Sequence, residues 1–197
     1  MRAVRTPPAW LLLAIVAGAC AHAPKGAPAA GAPADFFPLA VGNEWVYADR
    51  SPQLSAKDQA SRQRTVRILS RDADGYYLDN EKGALRADPD CLHDRLRRLL
   101  CGPFEPGHAW SSVVSVGSTE RYEIVAVGER VQTAAGAFDG CVRVRAFTRA
   151  GSDAEAVLEI TYAPHVGPVR IETFAVVKGV VTPQVRAELK SFRVGGR

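Results

Sequence analysis

The chain has 197 residues, a formal net charge of +4 and 47% hydrophobic residues, enough for one domain with a real core. No Lys/Arg run of nucleic-acid type occurs; the densest, Arg95-Leu96-Arg97-Arg98, is short and sits beside His93-Asp94. Composition therefore argues against nucleic-acid binding and leaves that cluster as a solvated turn or strand face.

Residues 1–19 read as an export signal. Arg2 and Arg5 precede an apolar run from Ala9 to Ala19, which is roughly half the ~20 residues that a membrane-spanning helix needs. The small residues Ala17-Gly18-Ala19 lead into Cys20. This junction resembles a bacterial lipobox, with Ala17 where leucine is usual, and it also fits the A-x-A site of ordinary secretion. The lipobox resemblance implies that Cys20 becomes an acylated N-terminus, with two or more chains giving a stable anchor. Ala21, where an inner-membrane signal would often place Asp, implies the outer membrane; the alternative is a secreted soluble protein. Cleavage removes two arginines and no acid, lowering the formal charge to +2.

Residues 20–34 are almost wholly Ala, Pro and Gly. Without large apolar side chains they read as an extended tether, able to hold the folded part up to about 40 Å from a membrane.

From Asp35 to Arg197 the hydrophobic period is two. Strands are expected at Glu44–Ala48, Arg64–Arg71, Gly75–Asp79, Ala109–Val116, Arg121–Val127, Val142–Thr148, Ala156–Ala163, Val169–Val177 and Val185–Val194. Ser51–Arg62 is polar enough for a long loop or short helix. Turn residues include Lys82-Gly83, Gly117-Ser118, Gly136, Asp139-Gly140, Gly167-Pro168 and Lys178-Gly179. The expected fold is all-β: one antiparallel meander curved into a half-barrel or barrel, with a sandwich as the other option. In Val142-Arg143-Val144-Arg145-Ala146 the valines face a core and the arginines water. The apolar face then either closes on itself or lines a cavity.

With Cys20 acylated, Cys91, Cys101 and Cys141 remain in a compartment that permits disulfides. Asp90–Cys101 reads as a hairpin turning near Arg95-Leu96, which sets Cys91 opposite Cys101 and leaves Cys141 as a buried thiol. The rival pairing joins Cys141 to one of the other two.

Three segments carry a resemblance. Phe36-Phe37-Pro38-Leu39-Ala40-Val41-Gly42-Asn43-Glu44-Trp45-Val46-Tyr47 resembles the opening of uncharacterised exported bacterial β-sheet proteins, often lipoproteins. Thr133–Cys141 is similar to their Pro-Ala-Gly-Thr-Phe turn, and Tyr162–Val169 to their Ala-Pro-x-Val-Gly hairpin. The group supplies no established activity. The resemblance implies a curved antiparallel sheet, broadly like the half-barrels that carry lipids or lipoproteins in the periplasm.

No catalytic, cofactor or metal constellation emerges. His93 and Asp94 adjoin and would point to opposite strand faces, a poor dyad. Glu120 and Glu123 would also lie on opposite faces. The four histidines are scattered, and Asp72-Ala73-Asp74-Gly75 reads as a turn rather than calcium ligands. Trp45 and Trp110 are the candidates for stacking on a ligand, against a packing role as plugs of the sheet. The leading expectation is a non-catalytic outer-membrane lipoprotein that binds an apolar ligand or partner segment on its curved sheet. The alternative is a structural or assembly protein with a packed core.

Overall fold

The computed structural model describes residues 31–195. The signal segment, Cys20 and the tether through residue 30 lie outside the described residues. The chain forms α1 (Pro33–Phe36), β1 (Glu44–Asp49), α2 (Ala56–Ser61), β2 (Gln63–Arg71), β3 (Tyr77–Asp79), β4 (Ala84–Ala87), β5 (Cys91–His93) and β6 (Arg98–Cys101). It continues with β7 (Ala109–Ser115), β8 (Ser118–Thr133), β9 (Gly136–Arg149), β10 (Ala154–Ala163), β11 (Gly167–Val177) and β12 (Val180–Arg193). All strands join one antiparallel sheet, with β1 paired to β12 and with β6 and β7 at its two ends. The sheet curls into a nearly closed barrel, as the alternating pattern predicts.

Inward and outward rows follow the register. Ile124, Val144, Ile160, Ile171 and Ala187 align across five strands facing in. Glu123, Arg145, Glu159, Glu172 and Arg186 align facing out. Glu159 and Glu172 are directly opposite, an arrangement of like charges that would destabilise the pair if left alone. Arginines resolve it: Arg143 and Arg145 both bind Glu159, while Arg186 lies 3.7 Å from Glu172 and 2.7 Å from Glu188.

The long strands bend at bulges. Gly128 in β8 and Gly140 in β9 have positive φ, and the β8–β9 register shifts three times between Ile124 and Val131. Asp139-Gly140, expected to be a turn, is therefore part of β9. A bulge needs the same positive-φ glycine that a turn does. The real β8–β9 turn is Ala134-Ala135. Lys178-Gly179 is the expected tight turn, with both residues at positive φ. β4 went unforeseen because its residues, Ala-Leu-Arg-Ala, carry no β-branched signal. α2 occupies the expected helix-or-loop segment, capped by Ser55 Oγ, which accepts from the Asp58 N–H.

The packed chain begins slightly before the Asp35 boundary. Pro33 is buried in the first turn of α1, and the Asp35 carboxylate accepts from the Ala32 N–H at 2.9 Å. Composition could not place this boundary, since proline suits both a tether and a first helical turn.

Where β6 meets β7, side chains rather than a backbone ladder make the join. The Arg98 N–H donates to Ser112 Oγ (3.0 Å), Trp110 Nε1 to the Arg98 carbonyl (2.6 Å) and Arg98 Nη2 to the Ser111 carbonyl (2.7 Å). Arg97 Nε donates to Glu120 Oε2 (2.8 Å), which also accepts from the Tyr122 hydroxyl (2.6 Å).

Candidate functional site

The three resembling segments can now be placed. In the first, Phe36 packs edge-on against Phe104 at 4.8 Å between ring centroids, and Phe37 against Trp45 at 5.0 Å. Asn43 is buried; its Nδ2 donates to the Pro38 carbonyl and its Oδ1 accepts from the Gly195 N–H, both at 2.8 Å. Trp45 Nε1 donates to the Val166 carbonyl (2.6 Å) and the Tyr47 hydroxyl to the Pro168 carbonyl (3.0 Å). The opening segment thus locks onto the Ala163–Val169 hairpin. Gly167 is required there: it sits at φ +113°, and an added Cβ would come 3.0 Å from Trp45 Nε1 and 3.1 Å from Phe37 Cδ2. In the middle segment, the Ala135 N–H reaches across to the Leu189 carbonyl at 3.3 Å.

Trp45 is 1% exposed, and Trp110 is 9% exposed and stacked on Tyr122 at 5.6 Å. Both indole N–H groups are donated to backbone carbonyls. These rings pack against the protein's own atoms and leave no free face for a ligand to stack upon.

His93 and Asp94 do not act together. His93 Nε2 meets Asp88 Oδ2 at 2.6 Å, whereas Asp94 caps the following turn by accepting from the Leu96 and Arg97 N–H groups. Burial works to raise the Asp88 carboxyl, but the N–H groups of Cys91 and Asp90 and the His93 ring outweigh it and hold it below the usual carboxylate range. The five-residue spacing of Asp88 and His93 joins the β4–β5 turn to β5, so alternation within one strand could not reveal it. Glu123 faces out beside Arg145, and Glu120 serves the β6–β7 join. Among the described residues, no group of three or more His, Cys, Asp or Glu could hold a metal.

Cys91 and Cys101 are directly opposite on β5 and β6 and form a disulfide. Cys141 is a buried free thiol donating to the Phe138 carbonyl at 3.5 Å. Burial, with Glu129 and Asp139 nearby, pushes it up to about 11. Burial also raises the phenols of Tyr47, Tyr122 and Tyr162, with Glu120 adding to the effect at Tyr122. Raised values mean that the folded state holds protons which the unfolded chain releases. This contribution to stability is complete below about pH 9, the ordinary thiol value, and is lost as pH rises beyond it. Urea midpoints are expected to fall progressively between pH 9 and 11. Iodoacetamide at pH 8 should alkylate Cys141 only after unfolding; rapid labelling of the native protein would contradict its burial.

The interior is filled: Trp45, Tyr162, Leu92, Leu100, Ile124 and Leu189 are each under 2% exposed. Two concavities lie at the barrel's ends. One of about 590 Å³ lies between the β9–β10 and β11–β12 turns, beside Ser152, Glu155 and Lys178. The other, of about 440 Å³, lies beside α1. At the end opposite α1, Val116, Val177, Val180 and Val181 project into solvent, each at least half exposed.

No family model matches the chain, and no curated protein does. Among solved structures it is similar to a Bacteroides fragilis NCTC 9343 protein described as exported and of YmcC-like fold. That match has 14% identity, a TM-score of 0.48, and covers 81% of this chain and 99% of that one. It is also similar to a protein from Parabacteroides distasonis ATCC 8503 described as a lipoprotein, at 13% identity and a TM-score of 0.41, covering 80% and 98%.

Proposed function

We propose that this chain is a non-catalytic lipoprotein of the bacterial outer membrane, held through Cys20, that serves a structural or assembly role through protein contacts. The filled interior carries the reading. An apolar carrier needs a cavity of about 300 Å³ or more lined by apolar side chains. Here the inward rows are occupied by one another, by the Trp45 and Tyr162 rings, and by the phenylalanines of α1 and its C-terminal cap; the concavity beside α1 exceeds that volume, but Arg71, Asp74 and Arg86 share its lining and it lies outside the filled interior. The apolar surface that remains accessible includes the valine-rich turns far from the N-terminal end, where a partner protein is the natural contact.

Two measurements test this. Native mass spectrometry of the protein extracted gently from its own envelope should show no lipid beyond the covalent anchor. A retained lipid would overturn the reading and restore the apolar-ligand expectation. Intact-mass analysis of wild type and Cys20→Ala should show an acyl mass only in the wild type. If wild type carries none, secretion without an anchor replaces it.

A further inference from the structure

The cavity beside α1 has a chemistry that the packed-interior reading does not use. Its walls include Ala34, Phe37, Asp74, Tyr77, Arg71 and Arg86. The two arginines come from β2 and β4, which lie on either side of β3 in the sheet, and both approach the β2–β3 turn at Gly75. An added Cβ at Gly75 would meet Arg71 Nη2 at 3.4 Å and Arg86 Cδ at 3.8 Å.

Both guanidiniums are held by tyrosine rings. Arg71 lies over Tyr77, 5.3 Å from its centroid, and Arg86 over Tyr76 at 4.9 Å. Tyr76 is itself shared with Arg95, at 4.6 Å. Arg95 has a carboxylate partner, Asp72, at 2.6 Å. Arg71 and Arg86 have none among the described residues; the only hydrogen bond that the Arg71 guanidinium makes there is a long one, 3.5 Å, to the Gly75 carbonyl.

Position sets this pair apart: other arginines without an acid partner among the described residues, such as Arg98, Arg121 and Arg149, lie separately on β6, β8 and β9, whereas Arg71 and Arg86 line one concavity. Two ring-braced guanidiniums facing one concavity have lost much of the rotamer freedom that a bound anion would otherwise have to remove. Their forked donors match a tetrahedral or planar oxyanion.

We propose that the Arg71–Arg86 cavity binds a phosphate group. The site goes beyond the proposed function and stands on its own geometry, so either can fail without the other. Asp74 on the cavity wall tempers the positive field and limits affinity for the fully ionised group. The cavity opens beside Ala34, where the chain arrives from the N-terminal side. Free phosphate and a phospholipid headgroup are both within the chemistry.

The test uses the exported chain from Ala21 onward, which has no acyl chain to carry it onto vesicles, with two probes. Inorganic phosphate is titrated by calorimetry, and flotation is measured with phosphatidylcholine vesicles with and without 30% phosphatidic acid. Arg71→Ala/Arg86→Ala should weaken binding at least tenfold, and Asp74→Asn should tighten it about threefold. Arg71→Lys/Arg86→Lys, which keeps the charge and loses the fork, should fall between, with β-sheet circular dichroism unchanged. Saturable phosphate binding without vesicle dependence supports a free ligand. Flotation that needs phosphatidic acid and both arginines supports a headgroup. No binding to either probe at millimolar concentration, or equal binding by the double alanine variant, overturns the site.

Discussion

Trp45→Ala is expected to lower folding stability by about 4 kcal/mol, a quarter or more of what a domain of this size commonly possesses. The indole is nearly inaccessible, meets Phe37 edge-on and spends its N–H on the Val166 carbonyl at 2.6 Å. Alanine leaves a void that α1 and the Gly167 backbone cannot fill without moving, and it orphans a carbonyl. Trp45→Phe separates the two effects. It keeps part of the ring area, leaves a smaller void and loses the donor, and should cost about 2 kcal/mol. Urea denaturation followed by far-UV circular dichroism reads both. If Trp45→Ala loses less than about 1 kcal/mol, the ring is not a plug, and the case against a ligand face at this position collapses.

Removal of the Cys91–Cys101 disulfide is expected to cost about 3 kcal/mol. The bridge closes a short loop, with a sequence separation of 10, and the loop-entropy relation gives roughly that value. The hairpin that it ties is short, three residues paired to four, yet it buries Leu92 and Leu100 completely. Cys91→Ser/Cys101→Ser should therefore lower the urea midpoint at unchanged slope. Reduction of the wild type should give the same shift, and reduction of the variant no further shift. A variant as stable as wild type would mean that Leu92 and Leu100 hold the hairpin unaided.

What the sequence reveals and what it hides divide along one physical line. Alternation is local, so Val142, Val144 and Ala146 could be assigned inward and Arg143 and Arg145 outward before any coordinates. The disulfide was legible for the same reason, because a hairpin turning near Arg95-Leu96 sets Cys91 opposite Cys101, and only the coordinates of the sheet removed the rival pairing with Cys141. Contacts between distant strands leave no such trace. Nothing near Glu120 announces Arg97, and nothing near Arg71 announces Arg86, because curvature and sheet order bring them together. The resembling segments were visible as patterns, but their mutual locking, Trp45 to Val166 and Tyr47 to Pro168, spans 121 residues in each case. Gly140 shows a subtler limit: its backbone requirement was readable, and the choice between turn and bulge was not.

The position of α1 has a mechanical corollary. Phe36 and Phe37 belong to the core, yet only a few residues separate them from the N-terminal segment that precedes Gly31. Tension delivered along that segment falls on the Ala32–Asp35 hydrogen bonds and buried Pro33, on the Asp35 carbonyl, which accepts from the His165 N–H at 2.5 Å, and then on the aromatic contacts with Phe104 and Trp45. The residues through which the N-terminal segment enters the fold and those that seal this end of the barrel are thus the same few. A pull strong enough to free the strand-leading segment would open the barrel end that it seals.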